Sequence, residues 1–168
     1  MGSSFRAPQQ YQPNLDIGSD YYNPVFPPLK APQFTPYPMR NPYPTETAFF
    51  LNHPTVAGMA AEDGSIIFNP TWAEKATPQQ KQGLYYLEAS RHHMKTDDAW
   101  KDIKFTPEQE KYFKSMGDKY YSKLGDSTKQ TLVSRIIVGD QIPDAPYTKE
   151  QEEIADKIWS NMTKPKKK

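Results

Sequence analysis

With no cysteine in 168 residues, a metal site would have to be built from His53, His92 and His93 together with Asp or Glu. Adjacent side chains on a helix diverge by about 100°, so His92 and His93 do not chelate one ion. Glu88 and His92, four apart, can share a helix face, but that spacing is the ordinary pattern of a surface pair. The absence of cysteine also excludes a disulfide scaffold, a thiolate zinc module and a thiol nucleophile. No His-Glu-x-x-His, Gly-x-Ser-x-Gly or Gly-x-x-x-x-Gly-Lys run occurs. Glu62-Asp63 and Asp97-Asp98 are neighbours beside turns rather than an opposed carboxylate pair. The expectation is a protein without catalysis, metal or cofactor.

One partial pattern needs weighing. A zincin places an edge strand before the helix that carries His-Glu-x-x-His. Here Ile66-Ile67-Phe68-Asn69-Pro70 precedes a helical segment with Leu87-Glu88-Ala89-Ser90-Arg91. The glutamate is in register, but Leu87 and Arg91 stand where both ligands belong. Leucine has no donor atom and arginine is always a cation. At best this is a degenerate, zincin-like pseudoenzyme. The simpler expectation is structural: Glu88 and Arg91 form an i, i+3 ion pair that ties the long helix to the hairpin loop.

The elements that position these residues follow from capping and periodicity. Thr77-Pro78-Gln79-Gln80, Thr106-Pro107-Glu108-Gln109 and Thr148-Lys149-Glu150-Gln151 each place Thr at an N-cap and Gln three residues on. Apolar residues then recur at helical spacing, predicting helices over 78–95, 107–116, 128–138 and 149–161, with Gly139 stopping the third. Residues 45–51 suggest a short helical turn before Pro54. Between them, Asp63-Gly64 predicts a two-residue type I′ turn in a β-hairpin over 59–68. The fold class expected is mainly α: a small helical domain, 46–162, with one short β-hairpin.

An extended arm is expected to precede this body. Ten of the 17 prolines lie between Pro8 and Pro44, which excludes a long helix or central strand there. Unlike an ordinary linker, residues 1–45 are aromatic and carry only five charges, Arg6, Asp16, Asp20, Lys30 and Arg40. Flat rings on a polyproline-like backbone suit grooves. The arm is therefore expected to be mobile alone and to clamp neighbouring subunits through Tyr11, Tyr21, Tyr22, Phe26, Phe34, Tyr37 and Tyr43. Lys164-Pro165-Lys166-Lys167-Lys168 forms a basic tail, suited at most to weak nucleic-acid contact, because the body between arm and tail carries a net −4. No apolar run approaches the roughly 18 residues of a membrane span. The first residues, Met1-Gly2-Ser3-Ser4-Phe5-Arg6, lack the apolar core of a signal peptide, and no membrane partner is expected.

Three segments then combine in one order: Val56-Ala57-Gly58-Met59-Ala60-Ala61-Glu62-Asp63-Gly64, Ile66-Ile67-Phe68-Asn69-Pro70 and Glu88-Ala89-x-Arg91-x-x-Met94. They are followed by Thr106-Pro107-Glu108-Gln109 and Arg135-Ile136-Ile137-Val138-Gly139-Asp140. This pattern, covering roughly residues 53–160, resembles a group of small, mostly uncharacterised proteins of short-tailed bacteriophages. The chain departs from it at Leu87, where relatives tend to have Asn. The resemblance implies a phage product, made in the host bacterial cytoplasm; a small body with an aromatic, proline-rich arm and a charged tail then suggests an accessory protein of the virion. Multiple copies in a symmetric assembly would contact the portal, adaptor, tail tube or fibre. A capsid-binding cement protein on the major capsid protein is the alternative, and a non-virion protein binding a host factor is another. No activity is implied.

Overall fold

A computed structural model of the chain describes residues 26–29, 35–54, 56–115, 126–142 and 144–164. Tyr11, Tyr21, Tyr22, Phe34 and the tail beyond Lys164 lie outside these residues. The described elements run in the order α1 (Pro44–Asn52), β1 (Gly58–Ala60), β2 (Ile66–Phe68), α2 (Pro70–Lys75), α3 (Pro78–His93), a 3-10 turn (Asp98–Asp102), α4 (Pro107–Ser115), α5 (Asp126–Val138) and α6 (Lys149–Met162). The protein is thus mainly α with one hairpin.

All three Thr-x-x-Gln starts form reciprocal capping boxes. Thr77 Oγ1 accepts from Gln80 N at 3.1 Å while Gln80 Oε1 accepts from Thr77 N at 2.9 Å. The other two boxes lock to each other. Gln109 Nε2 donates to Gln151 Oε1 at 2.8 Å, and Gln151 Nε2 donates to Gln109 Oε1 at 2.7 Å. Each glutamine still caps its own threonine, so the N-termini of α4 and α6 meet through two buried amides. Sequence reading found each cap but not this coupling, which depends on where the two helices are brought together.

The hairpin pairs Gly58 with Phe68, Met59 with Ile67 and Ala60 with Ile66 in antiparallel register. Its loop has three residues, not the two expected from Asp63-Gly64. Gly64 N donates to Ala61 O at 3.1 Å, and Gly64 alone among the loop residues takes a positive φ, 90°. A type I′ turn needs positive φ at both central residues, whereas a tight turn followed by one left-handed glycine needs it only once. Asp63 instead turns its carboxylate back onto Ser65 N at 2.9 Å. Asn69 ends β2 by capping α2, its side chain accepting from Thr71 N, while its amide donates to Val56 O at 2.9 Å. The short α2 and the 3-10 turn were not expected from periodicity, being too brief to show any.

Helix α3 is the organising element. It packs on α5 and on β1, and α5 packs in turn on α6 and the 3-10 turn. Leu84, Tyr86, Ala89, Leu132, Ile136, Ile137, Ile158 and Trp159 belong to this main core. The hairpin divides it from a second cluster, in which Phe49 and Phe50 of α1 meet Met59 and Ile67. Gly139 ends α5 as expected: its φ is 77°, and Asp140 N reaches back to Arg135 O at 2.9 Å.

The expected boundary at residue 45 is corrected. Phe26 is 1% exposed and belongs to the main core, and Leu29 and Tyr37 pack against it. Pro38 O accepts from Ile66 N at 2.9 Å, Arg40 N donates to Ile66 O at 3.3 Å, and Met39 forms a parallel bridge with Ile66. The described part of 26–43 is a strap laid across the body, joined to the edge of β2 by a single parallel bridge at Met39.

Candidate functional site

The strap docks on α3 through ring burial and side-chain bonds to its backbone. Gly83 sits mid-helix because a Cβ there would stand 2.2 Å from the Phe26 ring. The slot exists only because that residue has no side chain. Gln79 Nε2 donates to the Phe26 carbonyl, and Pro27 covers Gly139. Two residues after Gly83, a single phenol holds both backbone groups of Tyr37. Tyr85 OH accepts from Tyr37 N at 2.9 Å and donates to Tyr37 O at 2.7 Å. Burial raises the pKa of both phenols. The Tyr37 ring lies 4.9 Å from that of His92.

Arg40 closes the strap. Its guanidinium forms a two-pronged bond with Glu46, at 2.8 Å for each oxygen, and its Nε reaches Asp63 Oδ2 at 3.0 Å. The same group stacks 3.7 Å over the Tyr43 ring. Glu46 Oε1 also accepts from Tyr43 N at 2.7 Å, so the strap passes directly into α1. The bond to Glu46 holds the Arg40 pKa above its ordinary value despite partial desolvation. Burial alone would raise the Asp63 carboxyl, but bonds from Ser65 and Arg40 bring it below the usual range.

Of the expected partner-binding rings, Phe26 and Tyr37 are therefore spent on this chain's own body, and Tyr43 stays 40% exposed under Arg40. Asp63 and Gly64 lie in the hairpin loop, whose turn differs from the one expected. Beside the strap lies a cleft of about 700 Å³ lined by Tyr37, Met39, Phe68, Lys81, Gln82 and Tyr85, among others.

Glu88 and Arg91 do not form the expected ion pair. Glu88 is 1% exposed, and its Oε1 has no hydrogen-bond partner. Desolvation pushes its carboxyl well above the usual carboxylate range, and the nearby Arg91 cation only partly offsets this. Arg91 turns to α5, donating from Nη1 to Thr131 Oγ1 at 3.0 Å, next to a Ser90–Ser134 hydroxyl pair at 2.8 Å. The contact from α3 to the hairpin loop is made by His92, whose Nε2 donates to Ser65 O at 2.9 Å. Burial lowers the His92 pKa and keeps the ring neutral. Glu88 and His92 are thus interior residues, not the surface pair their spacing suggested, because this face of α3 is covered by the hairpin.

The three histidines have separate partners. His53 Nδ1 donates to Phe49 O at 3.0 Å, and His93 Nε2 lies 3.1 Å from Asp97 Oδ2. Among the described residues no three His, Asp or Glu side chains converge as a metal site, and no helix is long and apolar enough to cross a membrane. A second polar cluster joins Arg135 to Asp140 at 3.2 Å and to the Tyr112 hydroxyl at 3.4 Å, with Tyr147 OH donating to Asp140 O. Comparison with family models, curated proteins and solved structures finds no match.

Proposed function

We propose that this protein is a non-enzymatic virion component of a tailed bacteriophage, seated at the tail or portal-proximal machinery. Its N-terminal residues 1–25 bind neighbouring virion subunits. The observation that supports this reading most directly is the strap. Aromatic residues joined to proline, Phe26-Pro27 and Tyr37-Pro38, lie extended on a folded surface, held by ring burial and by side-chain bonds to their backbone. Residues 1–25 continue the same composition, with Tyr11-Gln12-Pro13 and Tyr22-Asn23-Pro24. Such segments bind grooves well because little chain entropy remains to be lost. The resemblance of residues 53–160 to phage proteins supplies the setting.

Mass spectrometry of purified particles tests the reading. The protein is expected among the virion components at about six or twelve copies, as symmetry at a tail vertex requires. Its absence from particles overturns the proposal. Hundreds of copies would place it on the shell as a cement protein instead.

A further inference from the structure

We propose that the face of the body beneath the strap is a peptide-binding groove, specific for an extended segment that carries Phe-Pro and Tyr-Pro, and that the chain's own strap is its displaceable occupant. This goes beyond the proposed function and does not rest on it.

The strap is held as a bound peptide is held, by its backbone and one anchor ring. Gln79 Nε2 donates to Phe26 O, and Tyr85 OH bonds both Tyr37 N and Tyr37 O. Ile66 pairs with Pro38 O and Arg40 N. Main-chain bonds of this kind, with pairing at a sheet edge, are how grooves bind extended segments, and pockets for particular side chains add the specificity. Here the pocket is the slot at Gly83, which takes the Phe26 ring, and Pro27 lies against Gly139.

The strap is also separable from the core. Among the described residues of 26–43, Phe26 is the sole one that is buried; the others are half-buried or exposed. Every other buried residue of the main core comes from Ala57 or later. The groove is positioned without the strap, because α3 packs on α5, α6 and both strands of the hairpin. A segment with so few buried side chains opens at a lower free energy than the core beneath it. Opening uncovers the slot, Gln79, Tyr85 and the Ile66 edge together. The tether keeps the strap at a high effective concentration, so a competing segment wins where the strap's own anchor is weakened.

Phe26→Ala weakens the strap in the full chain and leaves the groove intact. A synthetic peptide of residues 24–42, followed by fluorescence anisotropy and thermal melting, is expected to bind this variant at least ten-fold more tightly than the parent. It should also raise the variant's melting temperature by several degrees. The same peptide carrying Phe26→Ala should do neither. Adding Gly83→Ala to the Phe26→Ala chain improves the helix and meets no ring, so the double variant folds with its slot blocked. Its affinity for the peptide should fall at least ten-fold. In the parent, the amides of Tyr37, Arg40 and Ile66 should exchange with deuterium at least ten-fold faster than those of Ile136 and Ile137 in α5. Failure of the peptide to bind the Phe26→Ala chain, equal binding with the slot open or blocked, or strap amides that exchange only with the core would each overturn the inference.

Discussion

Glu88 carries a carboxyl into an interior that offers one of its oxygens no donor. Its folded-state pKa is raised, so over the window above the ordinary value of about 4.3 the folded chain holds a proton that the unfolded chain releases. That contribution to stability is complete below the unfolded pKa and is lost as pH rises through the folded one. Gln, a neutral mimic of the protonated acid, removes the dependence. The stability difference between Glu88→Gln and the parent should therefore move in favour of the variant as pH rises, by up to about 1.4 kcal/mol per pH unit within the window. Urea melts of both proteins across pH 5–8 measure it. His92 acts oppositely, its lowered pKa making stability fall as pH drops through about 6.5, but it contributes equally to both proteins and cancels in the difference. A variant destabilised by a constant 1–2 kcal/mol at every pH would instead mean that Glu88 is ionised and paired, as its spacing from Arg91 first suggested. Gly83 gives a second test at this scale. Alanine normally improves a helix interior by about 1 kcal/mol over glycine. Here Gly83→Ala should destabilise by about 1–3 kcal/mol, because its methyl meets the Phe26 ring, and a gain in thermal stability would show that the slot is not filled.

Among the elements, the helices were legible because their signals are local. Thr-x-x-Gln and Thr-Pro starts, the apolar spacing and Gly139 are all read within one or two turns of chain, and the ends fall within two residues of expectation. The strap was not legible in that way. Extended, proline-rich backbone has no period, so burial of Phe26 and Tyr37 is decided by residues some fifty positions away in α3. The one hint was Gly83 itself, a glycine inside a strong helical pattern, which signals close approach by another segment. Phe26→Ala should lower stability by about 3–5 kcal/mol, read as a loss of melting temperature on the order of 10 °C. A change of under about 1 kcal/mol would return Phe26 to the arm. The two capping boxes joined through Gln109 and Gln151 make a separate prediction. A double-mutant cycle with alanine at both positions should show coupling of about 1 kcal/mol or more, since either single change removes both hydrogen bonds that the two buried amides exchange. Additive losses would mean that the boxes act independently.

At the scale of the whole molecule, the body takes in Phe26 and the described residues up to Tyr43 rather than starting at residue 46, and the 25 residues ahead of Phe26 have a like composition. Under the proposed function, folding belongs to the strap and binding to residues 1–25 of a proline-rich region that looks uniform in sequence. The measurement that tests it most directly compares two truncations, one lacking residues 1–25 and one lacking 1–45, by melting temperature and by incorporation into particles in a complementation experiment. The shorter truncation is predicted to melt within a few degrees of the parent and to be missing from particles, while the longer one, deprived of Phe26, Tyr37 and Arg40, melts far lower. A protein without residues 1–25 that keeps its stability and still enters particles at the parental level would contradict the assignment of binding to that segment.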